Sequence, residues 1–235
     1  MKFAGLQKLD LLNCPGRVSA TVFTRGCNFR CPYCHNPSLV LPPTEAELEA
    51  QVDEEEIISY LDKRRGMIEA VAITGGEPTL HPEIEGFMKK VKEMGFFVKL
   101  DTNGTNPDFL KKLLKEGVVD YVAMDFKTAI EHYDRVFASS SAVEAFKASL
   151  KLLSSSSIDW EVRTTCVPSV VTKEDFPKIK EVMDSLGVKY KWYLQAFNPA
   201  VTLDESYSEE LAYEQGFLEK LVSEYADEKC DIRIR

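Results

Sequence analysis

Short apolar runs recur along the chain at 18–24, 70–74, 97–102, 121–126, 161–167 and 189–196. Each is rich in β-branched or aromatic residues, the signature of a strand buried on both faces. Between them the apolar positions shift to helical spacing, with start and stop signals at the ends. Asp53 with Glu56 opens a helix carrying Ile57, Ile58 and Leu61, and Gly66 closes it. Pro82 opens a second that stops at Gly95, and Asn106 with Pro107 opens a third that stops at Gly117. Ser141 with Glu144 starts a fourth through Phe146, Leu150 and Leu153, residues 175–186 form a fifth ended by Gly187, and 208–225 form a last one. The serine runs at 139–141 and 154–157 read as loop filler.

Six strands alternating with helices predict an α/β fold with a mostly parallel sheet and right-handed crossovers. Six units fall short of the eight in a closed barrel, so the expected shape is a partial (β/α)6 TIM-like open barrel. The chain reads as a single domain over 1–235. Its barrel core runs from about 18 to 200, behind a lead-in at 1–17 and ahead of a helix and tail at 205–235. In such a fold chemistry sits at the carboxyl ends of the strands. Those ends are polar and glycine-rich: Arg25-Gly26-Cys27, Gly75-Gly76-Glu77, Asp101-Thr102-Asn103-Gly104, Met124-Asp125-Phe126-Lys127 and Gln195. A rim of that composition suits a ligand-holding mouth.

Charge narrows the function classes. With 29 Lys+Arg against 38 Asp+Glu in 235 residues, the net charge is −9, and no basic face or run suggests nucleic acid. No apolar stretch approaches the ~20 residues of a membrane span, and residues 1–5 hold no apolar signal core, so the expected location is the cytoplasm.

The six cysteines are unevenly spread: Cys27, Cys31 and Cys34 crowd into eight residues, while Cys14, Cys166 and Cys230 are scattered. That asymmetry points to a metal site rather than to disulfide stapling. Three thiolates from one loop can hold one face of an iron–sulfur cubane and leave one iron without a protein ligand. Structural zinc is the bland alternative, with Cys14 as a fourth ligand. It normally uses two separate knuckles, and His35 directly after Cys34 is poorly placed to reach back.

The spacing Cys27-x3-Cys31-x2-Cys34, with Tyr33 before the last cysteine and a strand in front, resembles the cluster motif of radical S-adenosylmethionine (SAM) enzymes. The resemblance extends to about Gln195. Gly75-Gly76-Glu77-Pro78 is similar to the segment that contacts the SAM amino group. Asp101-Thr102-Asn103-Gly104, Met124-Asp125-Phe126-Lys127 and Tyr33-Cys34-His35-Asn36 resemble segments of the activases of glycyl radical enzymes. What this implies is a [4Fe-4S] cluster on Cys27, Cys31 and Cys34, and SAM held by Tyr33, His35, Asn36, Gly75, Gly76, Glu77, Lys127, Arg163 and Gln195. It also implies a monovalent cation near Asp101, Thr102, Met124 and Asp125.

By the same resemblance, reductive cleavage of SAM makes a 5′-deoxyadenosyl radical, with a flavodoxin- or ferredoxin-type protein as electron donor. The opening Gly5-Leu6-Gln7-Lys8-Leu9-Asp10, with Cys14-Pro15-Gly16, looks like that of the longer activases of anaerobic ribonucleotide reductase. The implied partner is therefore that glycyl radical enzyme. Two departures stand out. The histidines are only His35, His81 and His132, so Gln195 stands where some activases place a late histidine, and no ferredoxin-like insert lies between Cys34 and Gly75. The alternatives are a small-molecule or peptide enzyme such as a 7-carboxy-7-deazaguanine synthase, and a non-catalytic zinc module.

Overall fold

The computed structural model describes residues 1–136 and 139–235, which divide into two compact units. The first holds Met1–Asn28, Ser38–Thr102 and Asn106–Val122. The second holds Phe29–Pro37, Asn103–Thr105 and Ala123–Arg235.

In the first unit the strands β1 (Lys2–Phe3), β2 (Gly5–Asp10), β3 (Ser19–Thr24), β4 (Val52–Asp53), β5 (Ala70–Gly75) and β6 (Phe97–Thr102) appear in chain order. The helices are α1 (Pro37–Val40), α2 (Glu45–Glu49), α3 (Glu54–Asp62), α4 (Ile84–Glu93) and α5 (Pro107–Lys115). The strand order is β2-β3-β5-β6, with β1 and β4 as a separate antiparallel pair. β3 runs parallel to β5 with Ser19 opposite Ala70 and Thr24 opposite Gly75, and β5 runs parallel to β6. This in-register start is what brings the polar strand ends Thr24 and Gly75 level.

All six expected strands are present in this unit and the next, within two residues at each end, and the lead-in adds β1 and β2. β2 lies antiparallel on β3, with a register irregularity between Gln7 and Asp10. Its apolar content, Leu6 and Leu9 alone, gives no period to read. The pairing depends on β3 instead. Asp10, 3% exposed, then ties down the following turn. It accepts from the amides of Leu12 and Asn13 at 2.8 and 3.0 Å and from the Thr21 hydroxyl at 2.6 Å.

Caps differ from expectation in detail. Asn106 accepts from the Phe109 amide as predicted, whereas Asp53 makes no side-chain cap and the capping box forms at Thr44 with Glu47 instead. The stops at Gly66, Gly95 and Gly117 all lie at positive φ.

The second unit contains the end of β7 (Tyr121–Asp125), then α6 (Ser140–Ser154), β8 (Asp159–Cys166), α7 (Asp175–Asp184), β9 (Tyr190–Ala196), α8 (Gln215–Tyr225) and β10 (Cys230–Ile234). The order is β7-β8-β9-β10, with β8 and β10 both parallel to β9. Its core is aromatic. Phe146 of α6 packs on Phe126 at 4.8 Å and Tyr133 at 5.5 Å. Trp192 stacks on Tyr225 at 6.3 Å and donates its indole N–H to the Thr164 hydroxyl at 3.0 Å, which satisfies the polar edge of a fully buried ring.

Two sequence expectations fail here. Ser140 and Ser141 form the first turn of α6 rather than filler. The final helix begins at Gln215, not at 208. Glu210 accepts from the Ser169 amide at 2.7 Å and Tyr213 donates to the Val171 carbonyl at 3.0 Å, so 210–214 is pinned as an irregular strap. The tail is a strand, and its alternation Cys230-Asp231-Ile232-Arg233 is a period-2 pattern with Cys230 and Ile232 buried. No helix among the described residues is long and apolar enough to cross a membrane.

Candidate cofactor site

Two loops at the strand ends of the first unit clamp each other. The Gly26 amide donates to the Leu39 carbonyl at 2.7 Å, the Gly76 amide to the Thr24 carbonyl at 2.9 Å, and the Glu77 amide to the Gly26 carbonyl at 2.8 Å. His81 Nε2 lies 2.7 Å from the Arg25 carbonyl, and the Arg25 guanidinium reaches the Ser38 carbonyl and Glu47. Gly75 sits at φ +119°, a region only glycine enters easily, and a Cβ there would collide with the Thr24 backbone. A Cβ at Gly76 would overlap the Gly26 carbonyl. The two glycines therefore let the β5 loop touch the backbone that carries Cys27, a contact between main chains that the motif alone does not reveal.

Glu77 is 1% exposed. Its Oε1 accepts from the Thr79 amide at 3.0 Å, the Thr79 hydroxyl at 2.6 Å and the Thr102 hydroxyl at 2.8 Å. Thr102, expected near a cation, thus donates to the carboxylate of the Gly-Gly-Glu segment. Asp101, 5% exposed, pairs with the ammonium of Lys99, which is 1% exposed. Sequence reading missed both Lys99 and Thr79. A lysine two positions before an aspartate within an apolar strand was the available signal, since alternate residues share a face.

In the second unit Cys31 is buried and Cys34 half-buried, joined by a turn in which the Cys34 amide donates to the Cys31 carbonyl at 3.0 Å. Such a turn keeps its two ends within about 7 Å. Cys27, in the first unit, is half-buried, and none of the six cysteines forms a disulfide. Asp125 gathers two cations. Lys127 Nζ lies 2.8 Å from Oδ2, and Arg163 donates to Oδ1 through Nε at 2.9 Å with a terminal nitrogen at 2.8 Å. Burial alone would push the Lys127 amine down. The negative charge of Asp125 and of Cys31 as thiolate overrides it and holds the amine well above its ordinary value.

Tyr33 is 3% exposed and its hydroxyl has no hydrogen-bond partner among the described residues. Burial, then the charges of Cys31 and Asp125, drive its pKa upward, so it stays a neutral phenol. Tyr133, also unremarked in the sequence, accepts from the Lys127 amide at 3.4 Å and braces that segment through Phe126 and Phe146.

The remaining expected residues are more peripheral. His35 is exposed, with Nε2 2.6 Å from the Asn198 carbonyl, and Asn36 is exposed. Gln195 is half-buried opposite Thr165 in the β8–β9 pairing. Met124 is buried at the end of β7. Cys14 and Cys230 are buried, and burial pushes the Cys166 thiol up to about 12, so it is protonated at neutral pH.

A sequence profile of the radical SAM superfamily matches residues 21–184. The chain belongs to that superfamily. A protein of Methanocaldococcus jannaschii, provisionally named as a glycyl-radical enzyme activating enzyme, is 32% identical over 209 residues, covering 87% of this chain and 83% of its own. The pyruvate formate-lyase-activating enzyme of Clostridium pasteurianum is 26% identical over 186 residues, covering 77% of this chain and 75% of its own. Among solved structures, TYW1 with a lysine–pyruvate adduct bound superposes with a TM-score of 0.61 at 18% identity, over 88% of this chain and 72% of that one. The last likeness bears on fold alone, and agrees with the expected α/β partial-barrel class.

This radical SAM enzyme falls in the glycyl-radical activase group, whose cofactors are a [4Fe-4S] cluster and SAM. The donor set suits them. The Cys31–Cys34 turn holds two thiols outside any disulfide, of the soft kind that would suit iron. In the first unit the glycines press the β5 loop against the Cys27 loop, and in the second Lys127 and Arg163 are held on Asp125.

Proposed function

We propose that this enzyme installs a glycyl radical on anaerobic ribonucleotide reductase. The observation that carries the reading is the likeness to a protein provisionally named as a glycyl-radical enzyme activating enzyme, at 32% identity over 87% of this chain and 83% of its own, together with the lack of a ferredoxin-like insert between Cys34 and Gly75. Support for the reductase comes from the resemblance of the opening Gly5–Asp10 stretch, which forms β2 beside β3, to that of the longer reductase activases.

In this reading Cys27, Cys31 and Cys34 ligate the cluster. Glu77 receives the SAM ammonium, and its burial with Thr79 and Thr102 fixes the carboxylate rotamer before SAM arrives. Lys127 and Arg163, prealigned on Asp125, face the SAM carboxylate or ribose. By the same resemblance Tyr33, His35, Asn36 and Gln195 are further SAM contacts. Once bound, the cofactors supply one-electron cleavage chemistry and a hydrogen-abstracting radical. The chain holds SAM still and keeps water away. A flavodoxin- or ferredoxin-type protein delivers the electron, in the cytoplasm.

The test is anaerobic reconstitution, then reduction with dithionite and SAM, with iron and 5′-deoxyadenosine assayed together. Candidate reductase is then added and its glycyl radical sought by electron paramagnetic resonance. A glycyl signal on the reductase supports the proposal. Cleavage of SAM with no signal on any reductase offered refutes the partner, and bound zinc without cleavage refutes the chemistry.

A further inference from the structure

The resemblance to activases implies a monovalent cation among Asp101, Thr102, Met124 and Asp125, yet the polar groups of that set are engaged by the protein itself. The Lys99 ammonium, 1% exposed, pairs with Asp101 Oδ1 from two residues away on the same face of β6. Thr102 donates its hydroxyl to Glu77 at 2.8 Å. Asp125 is neutralised by Lys127 and Arg163.

A primary ammonium is a compact monovalent charge with directed donors, and it binds carboxylate oxygens much as potassium does. Lys99 differs from a bound ion in being tethered, so it is present at every salt composition and costs no binding entropy. A buried ammonium is tolerated only when paired, which explains why Asp101 faces it. A metal cation beside that ammonium would meet a like charge at short range in a poorly screened site.

We propose that Lys99 takes the place of the monovalent cation, so that this enzyme binds SAM without potassium or sodium. The inference rests on membership of the radical SAM activase group and not on the identity of the partner protein. SAM binding needs no partner, so failure to activate a reductase leaves this result standing.

The experiment measures the SAM dissociation constant of the anaerobically reconstituted enzyme in potassium, sodium and choline chloride at one ionic strength. The thermal unfolding midpoint is taken in each salt. Lys99 as the resident charge predicts dissociation constants within about twofold of one another and a common midpoint. Binding about tenfold tighter in potassium or sodium than in choline overturns the proposal. Lys99→Met should become salt-selective, with SAM binding about tenfold tighter and a higher midpoint in potassium than in choline. Equal behaviour of that variant in both salts also overturns it. If Lys99→Met fails to fold in any salt, Lys99→Met with Asp101→Asn removes both charges. It should fold with the same midpoint in every salt. An unfolded double variant assigns Lys99 to packing and ends the proposal.

Discussion

Replacing Asp125 by asparagine keeps the side-chain shape and removes a charge that Lys127 and Arg163 share. Both cations are substantially buried, with side-chain exposures of 17% for Lys127 and 10% for Arg163, and both sit within 2.9 Å of the Asp125 oxygens. Removing one member of a buried ion pair costs about 3–5 kcal/mol, mostly because the survivor is left uncompensated. Asp125 itself keeps 24% of its side chain exposed. Solvent therefore screens part of the loss, and the expected cost is about 3 kcal/mol, or about two powers of ten in the folding constant. At a urea dependence of about 2–3 kcal/mol/M, the unfolding midpoint of the cluster-free protein should fall by about 1 M. Pairing Asp125→Asn with Lys127→Met tests the source of the effect, since the second change should cost less once the carboxylate charge is gone. A midpoint within about 0.2 M of wild type would refute the reasoning, because the two cations would then be held by something other than Asp125.

Gly76→Ala forces a Cβ into the Gly26 carbonyl, backbone against backbone, so about 3 kcal/mol or more of stability and most of the reconstituted iron should be lost together. Iron content and a melting curve check it. Asp175 is fully buried against His132, Arg135 and the Thr172 amide. Burial alone would raise its pKa, and these hydrogen bonds more than offset that, leaving it lowered below 3.8. Its contribution is therefore complete above that pH and lost as pH falls further. Asp175→Asn should flatten the acid limb of a stability-versus-pH series while lowering stability at pH 7 by about 3 kcal/mol. Cys166, pushed up to about 12 from 9.0 by burial, stays protonated in the folded protein while the unfolded chain ionises. Stability should decline from pH 9 toward 12, by at most about 1.4 kcal/mol per pH unit from this thiol, and Cys166→Ala should remove that slope.

Much of the fold was legible because buried parallel strands announce themselves by continuous apolar runs, and helices by their caps and glycine stops. The run 97–102 and the observed β6 coincide, as do the Asn106 cap and the start of α5. β2 was not legible, because an edge strand with a single neighbour takes its conformation from the partner's hydrogen bonds rather than from its own apolar period. The start of α8 was hidden for a related reason. The strap at 210–214 is held by Ser169 and Val171, some forty residues away, and nothing local marks it.

For the site, residue types and spacing by themselves determined the chemistry: three cysteines in eight residues, a Gly-Gly-Glu and two acidic strand ends. These are choices of ligand softness, charge and backbone freedom, and they are written in the residues. Only the tertiary structure decided who partners whom. It gave Asp125 to Lys127 and Arg163, Thr102 to Glu77, and Asp101 to Lys99. A buried charge must be neutralised by whichever group folding brings within hydrogen-bond reach. That distance is set by the pleat of β6 and the pairing of β8, not by position along the chain.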